Sequence, residues 1–170
     1  MKSIMALLVE HDALMQRRLA IRGLFAELPV SVTIGGSYAL RYRAEEFANR
    51  EFHDYDFIVR GEEYVIGRCL DRLKALSSLG VARHPGNLQG SDSGSWSLGE
   101  YDGHPIDIIL LVDKPTCLSI ESLENVAKAK LWYCSKYRKA GLNYRQKDVD
   151  DLNILRTILG DTDPEIHWAW

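Results

Sequence analysis

The chain has 170 residues, of which 46% are apolar and 26% charged; these ordinary proportions exclude a disordered or fibrous protein. One domain of this length can bury a substantial core, so we expect a single domain over residues 1–170. The net charge of −3 argues against a protein that coats nucleic acid, since such proteins carry a basic excess.

The sequence predicts neither a secretory signal nor a membrane span. The apolar stretch at residues 1–9 is interrupted by Glu10 and Asp12, too early for a secretory signal. No segment approaches the ~20 apolar residues that a membrane span needs. Three cysteines at wide spacing suit free thiols better than disulfides or zinc. We therefore expect a cytoplasmic protein without a membrane partner.

The first half of the chain alternates helices and strands. Apolar residues recur at near-helical spacing before Pro29, and a β-branched run then leads into Gly35-Gly36-Ser37. In chain order we predict a helix over about 4–28, a strand over 30–34, a helical segment over 38–47, a strand over 56–59 and an amphipathic helix over about 62–79.

The second half predicts a loop, a β-hairpin and two helices. Residues 81–94 are rich in glycine, serine and asparagine, which is typical of an exposed loop, and Asp102-Gly103 is a hairpin signal. The predicted elements are strands over 95–98 and 106–112 and helices over about 119–139 and 147–159. Together they predict a two-layer α+β fold: a mixed sheet flanked by helices (core about 30–115) with a C-terminal helical part (about 119–160).

Three aspartates stand out against this pattern. Asp54 and Asp56 are two residues apart at the start of a strand, so their side chains share a face. Asp107 lies in a strongly apolar strand, where an unpartnered charge would be costly. If the two strands are neighbours, three carboxylates converge, an arrangement that suits Mg²⁺ and phosphoryl transfer. The alternative is that Asp54 and Asp56 cap a turn while Asp107 is a satisfied buried residue.

The double glycine lies between a strand and the start of a helix. Backbone N–H groups of such a turn can bind a phosphate, so Gly35, Gly36 and Ser37 are candidate nucleotide-binding residues. This motif precedes Asp54-Tyr55-Asp56, and a single aspartate follows in a later strand.

These motifs, in this order, resemble the nucleotidyltransferase superfamily related to DNA polymerase beta. The match is closest to the bacterial abortive-infection and toxin–antitoxin branch, in which an arginine, here Arg50, precedes Asp-x-Asp by four residues. Lys130-Leu131 and the stretch from Arg145 to Leu152 are also similar to that branch. The resemblance covers about residues 30–155.

The resemblance implies a nucleotidyltransferase-type fold and specific roles. Asp54, Asp56 and Asp107 would bind Mg²⁺ (or Mn²⁺), and Asp107 would also help to deprotonate an acceptor hydroxyl that attacks the α-phosphorus of a nucleoside triphosphate. The acceptor could be RNA, a protein or a small molecule. A toxin-like role would imply a cognate antitoxin.

Helical geometry adds Lys130 as a second candidate for phosphate binding. At 100° per residue Lys130 lies in the middle of the apolar face of its helix, and Asp148 lies on the apolar face of the last helix. An ion pair between the two helices is an equal alternative. Arg50 is either a phosphate or carboxylate partner near the metal or a solvated loop residue.

The segment at residues 125–147 has seven basic and no acidic residues, which leaves a net −10 on the remaining chain. With Trp132 and Tyr133 it could bind an RNA acceptor, or it could be a solvated helix face. Our main hypothesis is an active Mg²⁺-dependent nucleotidyltransferase, and the alternative is an inactive nucleotide-binding or regulatory module of the same fold.

Overall fold

The computed structural model describes residues 2–79, 82–84 and 95–170. In that part of the chain the α-helices are α1 (Ile4–Leu24), α2 (Gly36–Arg43), α3 (Glu63–Ala75), α4 (Leu123–Lys139) and α5 (Gln146–Leu159). The strands are β1 (Ser31–Ile34), β2 (Tyr55–Gly61), β3 (Ala82–His84), β4 (Ser95–Tyr101) and β5 (His104–Val112), with short 3₁₀ helices at Glu45–Phe47 and Leu76–Leu79.

The five strands form one mixed sheet in the order β1-β2-β5-β4-β3. Only β2 and β5 are parallel, and the other three pairings are antiparallel. The predicted α+β class, with helices flanking a mixed sheet, is confirmed. None of the helices in the described ranges is long and apolar enough to cross a bilayer.

The core lies between the sheet and the helices α1 and α3. Alternate residues of β2 are fully buried there, namely Tyr55, Phe57 and Val59, and α1 supplies Leu14 and Ile21 from the facing side. Because side chains alternate along a strand, Asp56 and Ile58 point to the opposite face of the sheet. The same packing that buries the odd-numbered residues of β2 therefore presents Asp56 on the other face.

Four predicted helix boundaries were wrong by four residues, namely the ends of α1, α2 and α3 and the start of α4. Helix α4 begins at Leu123 rather than at about 119, because residues 119–121 are extended and pair with Ile34 of β1. Ser122 caps this helix by accepting a hydrogen bond from the Asn125 backbone N–H at 3.1 Å. The first helix ends at Leu24, and residues 25–28 continue as turns.

The region predicted as a loop contains a short strand. Ala82–His84 pairs antiparallel with Ser95–Ser97 at the edge of the sheet, and a segment of three residues is too short to show a strand periodicity. Residues 85–94, predicted as part of the loop, lie outside the described residues. The Asp102-Gly103 hairpin is confirmed, since both residues have positive φ angles (50° and 76°) between β4 and β5.

Candidate active site

The three predicted aspartates lie together at one end of the sheet. Asp56 and Asp107 are directly paired residues of the parallel strands β2 and β5, and Asp54 immediately precedes β2. Each residue offers one carboxylate oxygen, and these oxygens all lie within 4.8 Å of one another. The convergence expected from the sequence is thus confirmed, whereas the roles assigned to the three residues stay predictions.

Asp56 is the most strongly perturbed of these acids. Burial raises its pKa to about 7, and repulsion from Asp54 and Asp107 adds to the effect, while Lys130 and Lys147 act in the opposite direction. Three carboxylates in contact repel one another unless a cation or protons lie between them. An all-oxygen donor set of this kind suits a hard divalent cation, so the residues present fit Mg²⁺ or Mn²⁺.

The double glycine packs directly against this cluster. The Gly35 N–H donates to the Asp56 carbonyl oxygen at 2.8 Å, and Gly36 begins α2 with a φ angle of +58°. A Cβ atom at Gly36 would overlap with the Asp56 carboxylate. The glycine turn therefore brings the N-terminus of α2, with Ser37 in its first turn, against the acidic cluster, where a helix N-terminus favours anions.

Helices α4 and α5 place basic and aromatic side chains near the acids. Lys130 lowers the pKa of Asp56, and Lys147 interacts electrostatically with both Asp54 and Asp56. Burial and the neighbouring Arg145 lower the pKa of Lys147, while Asp54 favours its charged form. Tyr133 also lies near these acids. Burial raises the pKa of its hydroxyl, and the negative charge of Asp56 raises it further.

A chain of ion pairs joins helices α4 and α5 to the loop before β2. Lys130 Nζ lies 2.9 Å from Asp148 Oδ1 and 2.9 Å from Asp151 Oδ2, and Arg145 Nε donates to Asp148 Oδ2 at 2.6 Å. Burial acts to raise the pKa of Asp148, but the charges of Lys130 and Arg145 outweigh it, so the pKa is lowered. The interhelical ion pair considered for Lys130 is therefore present.

Arg50 is the other end of this chain of ion pairs. Its Nε and Nη2 atoms donate to the two carboxylate oxygens of Asp151, each at 2.9 Å, and the Asp151 side chain is only 4% exposed. Of the two sequence alternatives, a solvated loop residue was wrong and a carboxylate partner is confirmed. Binding of phosphate by Arg50 stays a prediction.

Lys147, Tyr133 and Asp151 were not predicted to lie at this site, and Tyr133 was considered only for binding an RNA acceptor. Lys147 lies in the first turn of α5, one residue before the buried Asp148, so the Arg-x-Lys-Asp motif was the available signal for it. Asp151 follows Asp148 by three residues and thus shares its helix face. Nothing in the sequence indicates that Tyr133 lies near Asp56, because that proximity depends on how α4 packs across the sheet.

A cavity of about 310 Å³ is lined in part by Lys147, the residue that interacts electrostatically with Asp54 and Asp56. It lies between helix α5 and the segment that precedes β2, and both acidic and basic side chains line it. Its lining residues are Glu46, Phe47, Asn49, Arg50, Lys147, Asp150, Asp151 and Ile154. This volume is at the lower end of the range for small-molecule sites.

No protein-family model and no curated protein matches the chain. Its fold is similar to that of ANT(2″)-Ia in two solved structures. One is the crystal structure in complex with adenylyl-2″-tobramycin, with 15% identity, a TM-score of 0.52 and coverage of 87% of this chain and 88% of that one. The other is the solution structure of this antibiotic-resistance factor, with 16% identity, a TM-score of 0.53 and coverage of 89% and 85%. The likeness shows that the chain shares the α+β fold of these two structures.

Proposed function

We propose that this protein is a metal-dependent nucleotidyltransferase, which moves a nucleoside monophosphate from a nucleoside triphosphate to a hydroxyl of an acceptor. The observation that carries this proposal is the convergence of Asp54, Asp56 and Asp107 beside the double-glycine turn. The fold shared with ANT(2″)-Ia, which was solved with an adenylylated product, supports it.

Asp54, Asp56 and Asp107 would hold Mg²⁺ or Mn²⁺. When bound, the cation lowers the pKa of the attacking hydroxyl and offsets the charge that builds up on the phosphate oxygens. The backbone N–H groups at the start of α2 would bind phosphate oxygens. Lys130 and Lys147 supply positive charge near the same cluster, since both lower the pKa of Asp56.

In the reaction, we assign the proton of the acceptor hydroxyl to the carboxylate of Asp107. The acceptor oxygen forms a bond to the α-phosphorus as the bond from the α-phosphorus to the pyrophosphate oxygen breaks, and pyrophosphate leaves with the electron pair of that bond. The protein contributes chiefly position and charge, which is typical of phosphoryl transfer.

For the acceptor, we propose a small polar molecule. The cavity of about 310 Å³ beside Lys147 has the size and the mixed polar lining for one, and in ANT(2″)-Ia the adenylyl group is found on tobramycin. One observation favours the alternative of an RNA acceptor. A toxin-like role with a cognate antitoxin would go with that alternative. Trp132 is 46% exposed and carries the Lys136 ammonium 5.2 Å from its ring centre, an arrangement that could stack a base.

The test is transfer of label from α-labelled nucleoside triphosphates with Mg²⁺ or Mn²⁺, using tobramycin, other small hydroxylated compounds and total RNA as separate acceptors. Asp56→Asn should reduce transfer at least ~100-fold, since it removes one charge from the cluster at the point where charge develops. Asp71→Asn, an exposed acid on α3, is the matched control and should transfer like the native protein.

The alternative of an inactive module predicts a different result. In that case the native protein would bind the metal-nucleotide complex, measured by calorimetry, yet transfer no label to any acceptor. Transfer that persists in Asp56→Asn would contradict the assignment of the acidic cluster.

A further inference from the structure

The face of β2 that carries Asp56 also supports the glycine turn. Asp56, Ile58 and Arg60 share this face, because side chains alternate along a strand. A Cβ atom added to Gly36 would overlap with the Asp56 carboxylate, and one added to Gly35 would lie 2.6 Å from Ile58 Cδ1. The third residue on this face, Arg60, forms a buried ion pair that takes no part in the proposed reaction.

This ion pair joins Arg60 to Glu121, and the two residues are only 5% and 1% exposed. Arg60 Nη1 donates to Glu121 Oε1, to which Thr33 Oγ1 also donates at 2.7 Å. Asn125 Nδ2 donates to the other carboxylate oxygen at 2.9 Å. Each oxygen of Glu121 therefore has a donor, and the carboxylate is fixed between β1, β2 and the start of α4.

The backbone around Glu121 runs beside the start of the glycine turn. The Ile34 N–H donates to the Ser119 carbonyl oxygen at 2.9 Å, and the Glu121 N–H donates to the Ile34 carbonyl oxygen at 2.8 Å. Ile34 immediately precedes Gly35, and a Cβ atom added to Gly35 would lie 3.4 Å from Glu121 Cγ. The segment at residues 119–121 is therefore bonded to the residue before the turn and lies beside its first glycine.

The same segment binds the other end of α2. Arg43 is the last residue of this helix, and its Nε donates to the Glu121 carbonyl oxygen at 3.0 Å. Its Nη2 donates to the Ile120 carbonyl oxygen at 2.6 Å. The 119–121 segment thus holds the C-terminal residue of α2 and lies beside the turn at its N-terminus. A short helix that is held near both ends has a fixed direction relative to the sheet.

We propose that Glu121 and Arg43 are positioning residues, which hold the glycine turn and α2 in the orientation that binds a phosphate. This role rests on the proposed function, in which the N–H groups at the start of α2 bind the nucleotide. Such donors are effective only when they are held in place before the ligand arrives. Glycine loses more backbone freedom on ordering than any other residue, so the double glycine does not hold this geometry by itself.

A buried ion pair is suited to this role because it favours one arrangement over others. Apolar residues of similar volume often give equal or greater stability than a buried ion pair, so stability alone does not account for Arg60 and Glu121. Hydrogen bonds from three elements to one carboxylate are satisfied in a single position of the 119–121 segment, whereas apolar side chains tolerate several. We therefore expect the pair to be replaceable for folding but not for nucleotide binding.

The first experiment measures the affinity for each Mg²⁺–nucleoside triphosphate complex by calorimetry, beside the free energy of unfolding in urea. Arg43→Gln should weaken binding about tenfold, since small displacements of binding groups are costly. Arg43→Lys keeps the positive charge but cannot form both hydrogen bonds, so it should weaken binding similarly. Arg68→Gln removes an exposed arginine of α3 and should bind like the native protein. Native affinity in Arg43→Lys would show that only the charge matters and would overturn the proposal.

The second experiment replaces the ion pair by apolar side chains in Glu121→Met/Arg60→Met. The free energy of unfolding should stay close to the native value, while Kd and KM for the nucleotide should rise about tenfold or more. A merely structural role predicts the opposite, a less stable protein whose folded molecules bind nucleotide as before, and that result would overturn the proposal. Arg43 is exposed, so its variants decide the question if the double variant does not fold.

Hydrogen exchange separates this proposal from the proposed function, because it needs no nucleotide. The N–H groups of Gly35 and Ala39 donate to the carbonyl oxygens of Asp56 and Gly35 at 2.8 and 3.3 Å. In the free protein both should exchange about tenfold faster in Arg43→Gln and in the double variant than in the native chain or Arg68→Gln. Unchanged exchange would overturn the proposal even if the affinity fell. A native protein that binds no nucleotide would refute the proposed function, and faster exchange would still show that these residues position the turn.

Discussion

At the scale of single residues, the closest coupling in the site is between Gly36 and Asp56. The turn at Gly36 has a φ angle of +58°, and there is no room for a Cβ atom because the Asp56 carboxylate occupies that position. Position 36 therefore needs glycine for two reasons. The backbone there is left-handed, which glycine adopts without strain, and the Asp56 carboxylate leaves no space for a side chain.

We predict that Gly36→Ala loses most transfer activity while the protein stays folded. The left-handed conformation costs alanine about 1–2 kcal/mol, and the new methyl group displaces the Asp56 side chain from its place among the three carboxylates. Gly141→Ala is the matched control, because Gly141 has a φ angle of +69° with nothing within 4 Å of the added Cβ. Both variants should lose similar stability in urea unfolding, but only Gly36→Ala should lose transfer. Equal activity in the two variants would show that the contact with Asp56 is unimportant.

At the scale of elements, α4, α5 and the loop before β2 are joined by alternating charges rather than by apolar contacts alone. Asp151 accepts from Arg50 and from Lys130, and Asp148 accepts from Lys130 and Arg145. Both acids are buried, so removal of one partner leaves a charge without full compensation. These ion pairs fix the position of Lys130, whose charge lowers the pKa of Asp56.

We predict that Arg50→Ala destabilises the protein by about 2–4 kcal/mol, because it leaves the buried Asp151 with Lys130 alone. Arg50→Lys should recover only part of this loss, since lysine cannot form the two parallel hydrogen bonds. Arg138→Ala, which removes an exposed arginine of α4, should change stability by less than about 0.5 kcal/mol. The measurement is unfolding in urea. If Arg50 instead bound phosphate, Arg50→Lys would raise KM for the nucleotide and leave the free energy of unfolding unchanged.

Local patterns were enough to predict most elements and to single out the three aspartates, but their convergence depended on β2 and β5 being neighbours, which local patterns do not show. Asp107 was identifiable because a charge in an apolar strand requires a partner, and Asp102-Gly103 because its turn type requires positive φ angles. The ion pair between Arg50 and Asp151 was not predictable, since it joins residues 101 positions apart through the packing of α5. The start of α4 was misplaced for a similar reason, because residues 119–121 pair with β1, and this contact overrides their helical pattern.

At the scale of the whole molecule, the uneven charge along the sequence is brought together in space. Lys130 and Lys147, both from the basic segment at residues 125–147, interact electrostatically with Asp56, and Lys147 also interacts with Asp54. Lys147 is half-buried at the end of that segment, and its pKa is lowered by burial and by Arg145. A nucleotide polyphosphate bound beside these acids would meet Lys147 as a positive charge in a partly desolvated position, where a charge-assisted hydrogen bond is worth about 1.5–3 kcal/mol.

We predict that Lys147→Gln raises KM for the nucleoside triphosphate about tenfold or more, as expected from the loss of at least ~1.4 kcal/mol of binding, with a smaller change in kcat. Lys139→Gln removes the same charge from an exposed position in the same basic segment, and water and salt screen that position. It should therefore leave KM nearly unchanged, and raising the salt concentration should not reproduce the effect of Lys147→Gln. Steady-state transfer kinetics of the two variants separate a specific contact from bulk charge. Equal increases in KM would mean that the net charge of the segment, rather than the position of Lys147, attracts the nucleotide.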